Sequence, residues 1–219
     1  MTILKTLTMF TFLALGFTSS KAQTVKNETL ITKQNSIIMD STMIKTLVIT
    51  KVKKPWYAWR SLVVGKMKKS IPDFQKVEGL KEKYFSFTNN HKKFGGLYLW
   101  DAEENAKQFF NQAWFERIEK KYGEKGIVNF YKVATTQTFA TTFNSSAKEL
   151  YAAISYNKDE KFSKNDLING LIKIYNLKDN KNQTCYLTLW QYKEQAINYF
   201  KNETMTNDFF EIPLFIDNK

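Results

Sequence analysis

His91 and Cys185 are the only imidazole and the only thiol in the chain. A single cysteine excludes an intramolecular disulfide and a thiolate metal cluster. Cys185 stands inside the apolar run "TCYLTLW", where it reads as a small buried hydrophobe. A catalytic thiol would want His91 as its base, but "TNNHKKF" is a polar turn. One imidazole also falls short of a multi-histidine metal site, so no metal is expected. The carboxylate pairs Glu103/Glu104 and Glu116/Glu119 fall on the solvated face of a helix, which gives no support to glycosidase-type acid/base work. Gly95-Gly96 precedes an apolar strand instead of joining a strand to a helix, so it is no dinucleotide loop. It reads as a place of close backbone approach. What the chain has in quantity is aromatic surface, with 18 Phe, 11 Tyr and 5 Trp.

Those aromatics need a folded frame. The N-terminus, "MTILKTLTMFTFLALGFTSSKAQ", carries an early lysine, an apolar stretch from Leu7 to Phe17 and small residues at Ser20 and Ala22. That pattern predicts a signal peptide over 1–22, and an exported protein, periplasmic or extracellular. No later segment approaches the roughly 20 apolar residues of a membrane span. Residues 23–42 are polar and without period, and read as a tail. The net charge of +12 comes almost wholly from scattered lysines, a distribution that does not predict nucleic-acid binding.

From residue 43 the pattern is regular. "IKTLVITKV" (Ile44 to Val52) reads as a strand. Trp56, Trp59, Val63 and Met67 follow at helical spacing behind Pro55, with Pro72 near the stop. "GLKEKYFSF" and "GGLYLW" form a hairpin about Asn89-Asn90-His91. Asp101 and Glu104 suggest a capping box for a helix ending at Gly123, and "GIVNFYKV" is the next strand. The order βαββαβ is that of a ferredoxin-like unit. The remainder repeats it: a strand over Thr136 to Phe143, a helix capped by Ser146 and Glu149 and running through Leu150, Ala153 and Ile154, strands at Gly170 to Leu177 and "TCYLTLW", a helix from Tyr192, and a last strand from Asp208 to Ile216.

Residues 97–110 and 187–200 also agree in detail. Leu97/Leu187, Leu99/Leu189, Trp100/Trp190, Glu104/Glu194, Ala106/Ala196 and Phe110/Phe200 coincide. The alignment predicts a tandem duplication, with repeat 1 at 43–134 and a degenerate repeat 2 at 135–219. The fold class expected is α+β: two ferredoxin-like βαββαβ repeats closing an intramolecular pseudo-dimeric barrel, and hence a monomer. Each sheet has one helix-covered face and must bury the other. If the leucines lie under the helices, Tyr98 and Trp100 face into the barrel.

The phrase "GGLYLWDAEENAKQFFNQAWFERIEKKYG", with "GLKEKYF" upstream, resembles the YdhR-type monooxygenase family of the dimeric α+β barrel superfamily over roughly residues 44–133. The second half matches in architecture only and lacks Gly-Gly. The resemblance implies a pocket between helix and sheet or inside the barrel, and oxidation of an electron-rich aromatic molecule by dioxygen with no cofactor. It implies His91 and Tyr84 as catalytic candidates, and Trp56, Trp59, Tyr98 and Trp100 as substrate-binding candidates. The haem ligand of haem-degrading relatives has no counterpart. A carrier of a small aromatic or apolar molecule, or an interaction protein with a filled barrel, are the alternative readings.

Overall fold

A computed structural model of the chain describes residues 44–139, 149–156, 168–201 and 208–218. The expected signal peptide, the polar tail and the expected cap at Ser146 lie outside these residues. Eight strands and four helices occur among them: β1 (Thr46–Lys53), α1 (Arg60–Phe74), β2 (Leu80–Thr88), β3 (Lys93–Trp100), α2 (Glu103–Phe109), α3 (Gln112–Tyr122), β4 (Ile127–Thr138), β5 (Leu150–Ser155), β6 (Leu171–Lys178), β7 (Thr184–Trp190), α4 (Lys193–Phe200) and β8 (Asp208–Asp217). All strands pair antiparallel in one closed barrel of order β1-β3-β2-β8-β5-β7-β6-β4. The first four strands lie in the order β4-β1-β3-β2 and the last four in the order β8-β5-β7-β6, which is the same order four positions on.

Matching irregularities recur in the two halves. Gly79 and Gly170 both have positive φ, at 75° and 81°. Each precedes a strand whose first leucine sits opposite a tryptophan, Leu80 opposite Trp100 and Leu171 opposite Trp190, and each strand then bulges before its next pair. Tyr84 and Tyr175 both stand opposite leucines, Leu97 and Leu187.

The barrel interior is filled. Leu47, Ile49, Leu97 and Leu99 meet Ile154, Leu177, Leu187, Leu189 and Ile212 there. An eight-stranded barrel is just wide enough for side chains to fill. One polar cluster is included. The Glu82 carboxylate accepts from the Tyr84 hydroxyl at 2.5 Å, the Tyr175 hydroxyl at 3.0 Å and Lys173 Nζ at 2.7 Å. These bonds join β2 to β6, strands on opposite sides of the barrel.

Three expectations are corrected. Tyr98 and Trp100 do not face inward. They pack with Val48, Phe110 and Trp114 beneath the helices, and the leucines take the interior. The rings of Tyr98 and Trp100 pack against those of Phe109 and Phe110 at the end of α2, partners that the helix-covered face supplies. Second, residues 150–155 form a strand. "AKELYAAISY" has helical propensity, but Leu150, Ala152 and Ile154 fill the interior while Ala153 packs against Trp190 outside. Pairing on both edges, with β7 and β8, overrides the propensity. The strand expected from Thr136 begins as the continuation of β4, and residues 140–143 lie outside those described. Third, Asp101 caps nothing. The N-cap of α2 is Ala102, and Asp101 instead accepts from the Asn105 side chain. The single helix expected after it is two, because Asn111 breaks it and its side chain accepts from Trp114 N at 3.1 Å to start α3.

Candidate functional site

The Gly-Gly phrase lies at the floor of a cavity. A Cβ on Gly95 would stand 2.1 Å from the backbone oxygen of Thr50 on β1, so only glycine lets β1 and β3 approach there. A Cβ on Gly96 would stand 2.9 Å from the Tyr98 ring. The missing side chain leaves the space over which that ring lies. The Thr50 hydroxyl accepts from Gly96 N at 3.0 Å, so this polar group is held in place by the glycine backbone.

Above this floor is a cavity of about 340 Å³, walled by α1 through Leu62, Val63 and Met67, by α3 through Trp114 and Ile118, and by the β1–α1 connection through Pro55, Tyr57 and Ala58. The helical sides follow from sequence. Val63, Met67 and Phe74 recur at helical spacing and turn α1 onto the sheet. The size is that of a small-ligand pocket, and the lining is mostly apolar.

Few polar groups enter it: the buried Thr50, Tyr98 and Lys83, and the half-buried Ser70, with Lys66 and Lys121 at the rim. Lys83 is the unusual member. It is only 2% exposed. Its Nζ lies 2.8 Å from the Phe74 ring centre, 4.0 Å from that of Phe85 and 4.4 Å from that of Tyr98. No carboxylate pairs with it among the described residues. Burial therefore drives its pKa well below the ordinary lysine value. Contact with aromatic faces opposes this by favouring the ammonium, by about 2 kcal/mol or more for a desolvated cation. Desolvating an ammonium costs several kcal/mol, and the net lowering means that Lys83 gives up its proton more easily than an exposed lysine, which favours the neutral amine. Tyr98 is pushed the other way: burial raises its pKa, with a smaller opposing contribution from Thr50, and its hydroxyl stays protonated.

The residues singled out by sequence are dispersed. Tyr98 lines the cavity. Trp100 is fully buried beneath α2, 5.5 Å from Phe109, and does not reach it. Trp56 and Trp59 are not on the helix. Trp56 lies in the β1–α1 connection and Trp59 is the N-cap of α1, and they are 92% and 79% exposed. They flank the connection that walls the cavity without lining it. Tyr84 is inside the barrel, where burial and the Glu82 carboxylate both raise its pKa, so it is a donor and no base. His91, at the β2–β3 turn with φ of 56°, points to Glu211 at 3.0 Å and stacks on Phe87. Around Glu211, burial alone would raise the pKa, but hydrogen bonds from Lys193 and His91 hold it below the usual carboxylate value. That cluster ties the hairpin to β8 at a distance from the cavity lining.

Lys83, Thr50 and Trp114 are the cavity residues that sequence reasoning missed. "GLKEKYFSF" offers a signal in retrospect, since Lys83, Phe85 and Phe87 share one face. The bulge between Leu80 and Glu82 hides it, because it breaks the alternation at the point where Lys83 would be assigned. Cys185 is buried in the barrel, its thiol pushed up to about 12 chiefly by desolvation, which makes it inert. A second depression, of about 390 Å³, lies around Tyr131 and Tyr156, but Asn129, Asp179, Asn180, Lys181 and Gln183 make it polar.

Comparison with solved structures supplies the frame. The chain is similar to an anthrone oxidase-like protein, with a TM-score of 0.52 and 11% identity over 84% of this chain and 97% of the other. It is also similar to a "putative monooxygenase" from Fusobacterium nucleatum, with a TM-score of 0.54 and 10% identity over 80% of this chain and 94% of the other. The fold is that of monooxygenase-like α+β barrels. No protein-family model and no curated protein matches the sequence.

Proposed function

We propose that the chain binds a small, electron-rich aromatic molecule bearing an ionisable hydroxyl in the cavity under α1 and α3, and oxidises it with dioxygen. The observation that carries this reading is Lys83, an unpaired buried amine in an apolar cavity beside Tyr98 and Thr50. In this scheme Lys83 takes the proton of the bound phenol or enol, and the ammonium formed holds the resulting anion. Tyr98 and Thr50 orient its oxygen. The electron-rich anion then reduces dioxygen. For an anthrone-type substrate one oxygen atom becomes the new carbonyl and the other leaves as water with the two methylene hydrogens. His91 and Tyr84 do not touch the cavity and have no step in this scheme. Trp56 and Trp59 act from its outer rim.

The finer architecture belongs to the same reading. We take the chain as two tandem ferredoxin-like repeats, related to YdhR-type monooxygenases and forming a pseudo-dimer within one exported polypeptide. The identical strand order, paired glycines and paired bulges support this. Repeat 1 carries Gly-Gly and the apolar cavity of about 340 Å³ with Lys83 in it. The filled barrel leaves the helix layer as the binding place.

The test is calorimetric titration with anthrone and with substituted hydroquinones, followed by oxygen uptake with no added flavin, haem or metal. Lys83→Met is expected to keep the fold, weaken binding of the anionic form by 10-fold or more, and abolish uptake. Binding without oxygen consumption would make the protein a carrier. No binding by any such compound would sink the reading.

A further inference from the structure

The rim of the cavity is unusually apolar on its outer side. Trp56, Tyr57, Trp59 and Leu62 are 92%, 61%, 79% and 45% exposed. They fall within seven consecutive residues where the β1–α1 connection enters α1, and the Trp56 and Tyr57 rings meet edge to face at 5.9 Å. Tyr57 and Leu62 also line the cavity, so the patch borders its mouth. Large exposed apolar patches mark interaction sites.

The charge around the patch selects the partner. α1 carries Arg60, Lys66, Lys68 and Lys69 against a single acid, Asp73, at its far end. Arg60 is engaged by Glu149 at 2.6 Å, and Lys53 by Glu124 at 3.6 Å. Lys66, Lys68 and Lys69 are exposed and have no ion-pair partner among the described residues. Lys66 and Lys69 follow Leu62 at helical spacing, so the apolar patch and the free lysines share one side of α1. Two copies meeting through this face would bring the same lysines together, which opposes self-association. Tryptophan and tyrosine favour the boundary between headgroups and acyl chains, and lysines beside them meet anionic headgroups.

We propose that this face docks on an anionic lipid bilayer, with Trp56, Trp59 and Leu62 entering the interfacial zone and Lys66 and Lys69 against the headgroups. Docking this way sets the cavity mouth toward the bilayer, so an apolar ligand passes between membrane and cavity without crossing bulk water. The inference stands on the surface alone and is independent of any oxidation in the cavity.

The chain beginning near Gln23, which lacks the apolar Leu7–Phe17 stretch, is the form to test. Co-sedimentation with vesicles of phosphatidylglycerol and phosphatidylcholine at low salt should be accompanied by a blue shift of tryptophan emission. Pure phosphatidylcholine vesicles and high salt should each reduce binding by at least fivefold. The double variant Trp56→Ser/Trp59→Ser, whose side chains are exposed and whose thermal melt should be unchanged, is expected to lose 10-fold or more in partition coefficient. Lys66→Glu/Lys69→Glu should lose the salt-sensitive part. Absence of binding to the anionic vesicles would overturn the proposal, as would undiminished binding by the tryptophan variant. A concentration-dependent dimer abolished by the tryptophan variant, with no vesicle binding, would assign the face to a second copy instead.

Discussion

At the scale of single residues, Lys83 stands in conflict with stability. A buried polar group without a compensating hydrogen bond costs about 1–3 kcal/mol in proteins. Lys83→Met is therefore expected to stabilise the fold at pH 7 by about that amount while removing the proposed base, a stability–activity trade. The pH dependence has a defined sign. With its folded pKa depressed, Lys83 makes the unfolded chain bind the extra proton. Stability should rise with pH from the folded pKa up to the ordinary lysine value near 10.5. Urea denaturation at several pH values should show this slope in the wild type and a flatter one in Lys83→Met. An unchanged slope would mean that the amine is solvated or paired. Residue types alone did not mark this site. Tyr98 was legible because it belongs to the Gly-Gly phrase. A lysine in a strand otherwise reads as solvent-facing, and only the pairing of Lys83 with Tyr98 across β2 and β3 places it under the helices.

At the scale of elements, strands with a strong alternating or aromatic pattern were legible: β1, β2, β3, β6, β7 and β8 all occur near their expected positions. The misread region is 136–155. There Ala153 of β5 needs no bulk, because Trp190 supplies it outside the barrel, while Ala152 faces the filled interior. Local propensity contains no record of that. The covered face is not legible either, since alternation gives two faces but does not say which one the helices cover. The β1–β3 contact gives the prediction at this scale. Gly95→Ala would drive a Cβ against the Thr50 backbone, which cannot swing away as a side chain could. A loss of about 1–3 kcal/mol is expected, measured as a shift of the denaturation midpoint. Gly65→Ala, in the middle of α1 with open space around it, should instead be neutral or stabilise by up to about 1 kcal/mol.

At the scale of the whole molecule, closure leaves the described barrel no free sheet edge. Light scattering on the chain beginning near Gln23, in the absence of lipid, should therefore give a monomer, a little below the 25.7 kDa of the full sequence. Separated halves should not behave this way. A fragment ending after β4 would expose Leu47, Ile49, Leu97 and Leu99 together with the unpaired edges of β2 and β4, and should associate or aggregate. A soluble, monomeric fragment with native circular dichroism would contradict the mutual dependence of the halves.

The position of the cavity outside the barrel has a kinetic consequence. Its walls are two helices and one connection, and its floor is a sheet locked into a closed ring. Opening the walls breaks contacts of the helix layer and leaves the strand ladder intact. Exchange of the proposed ligand would then proceed through local opening, at a free energy well below that of global unfolding. Amide protons of α1 and α3 would exchange with solvent faster than those of β1, β2 and β3, and the two rates would respond to ligand separately. A guest of the kind proposed would come and go through the roof while the ring beneath it stays shut.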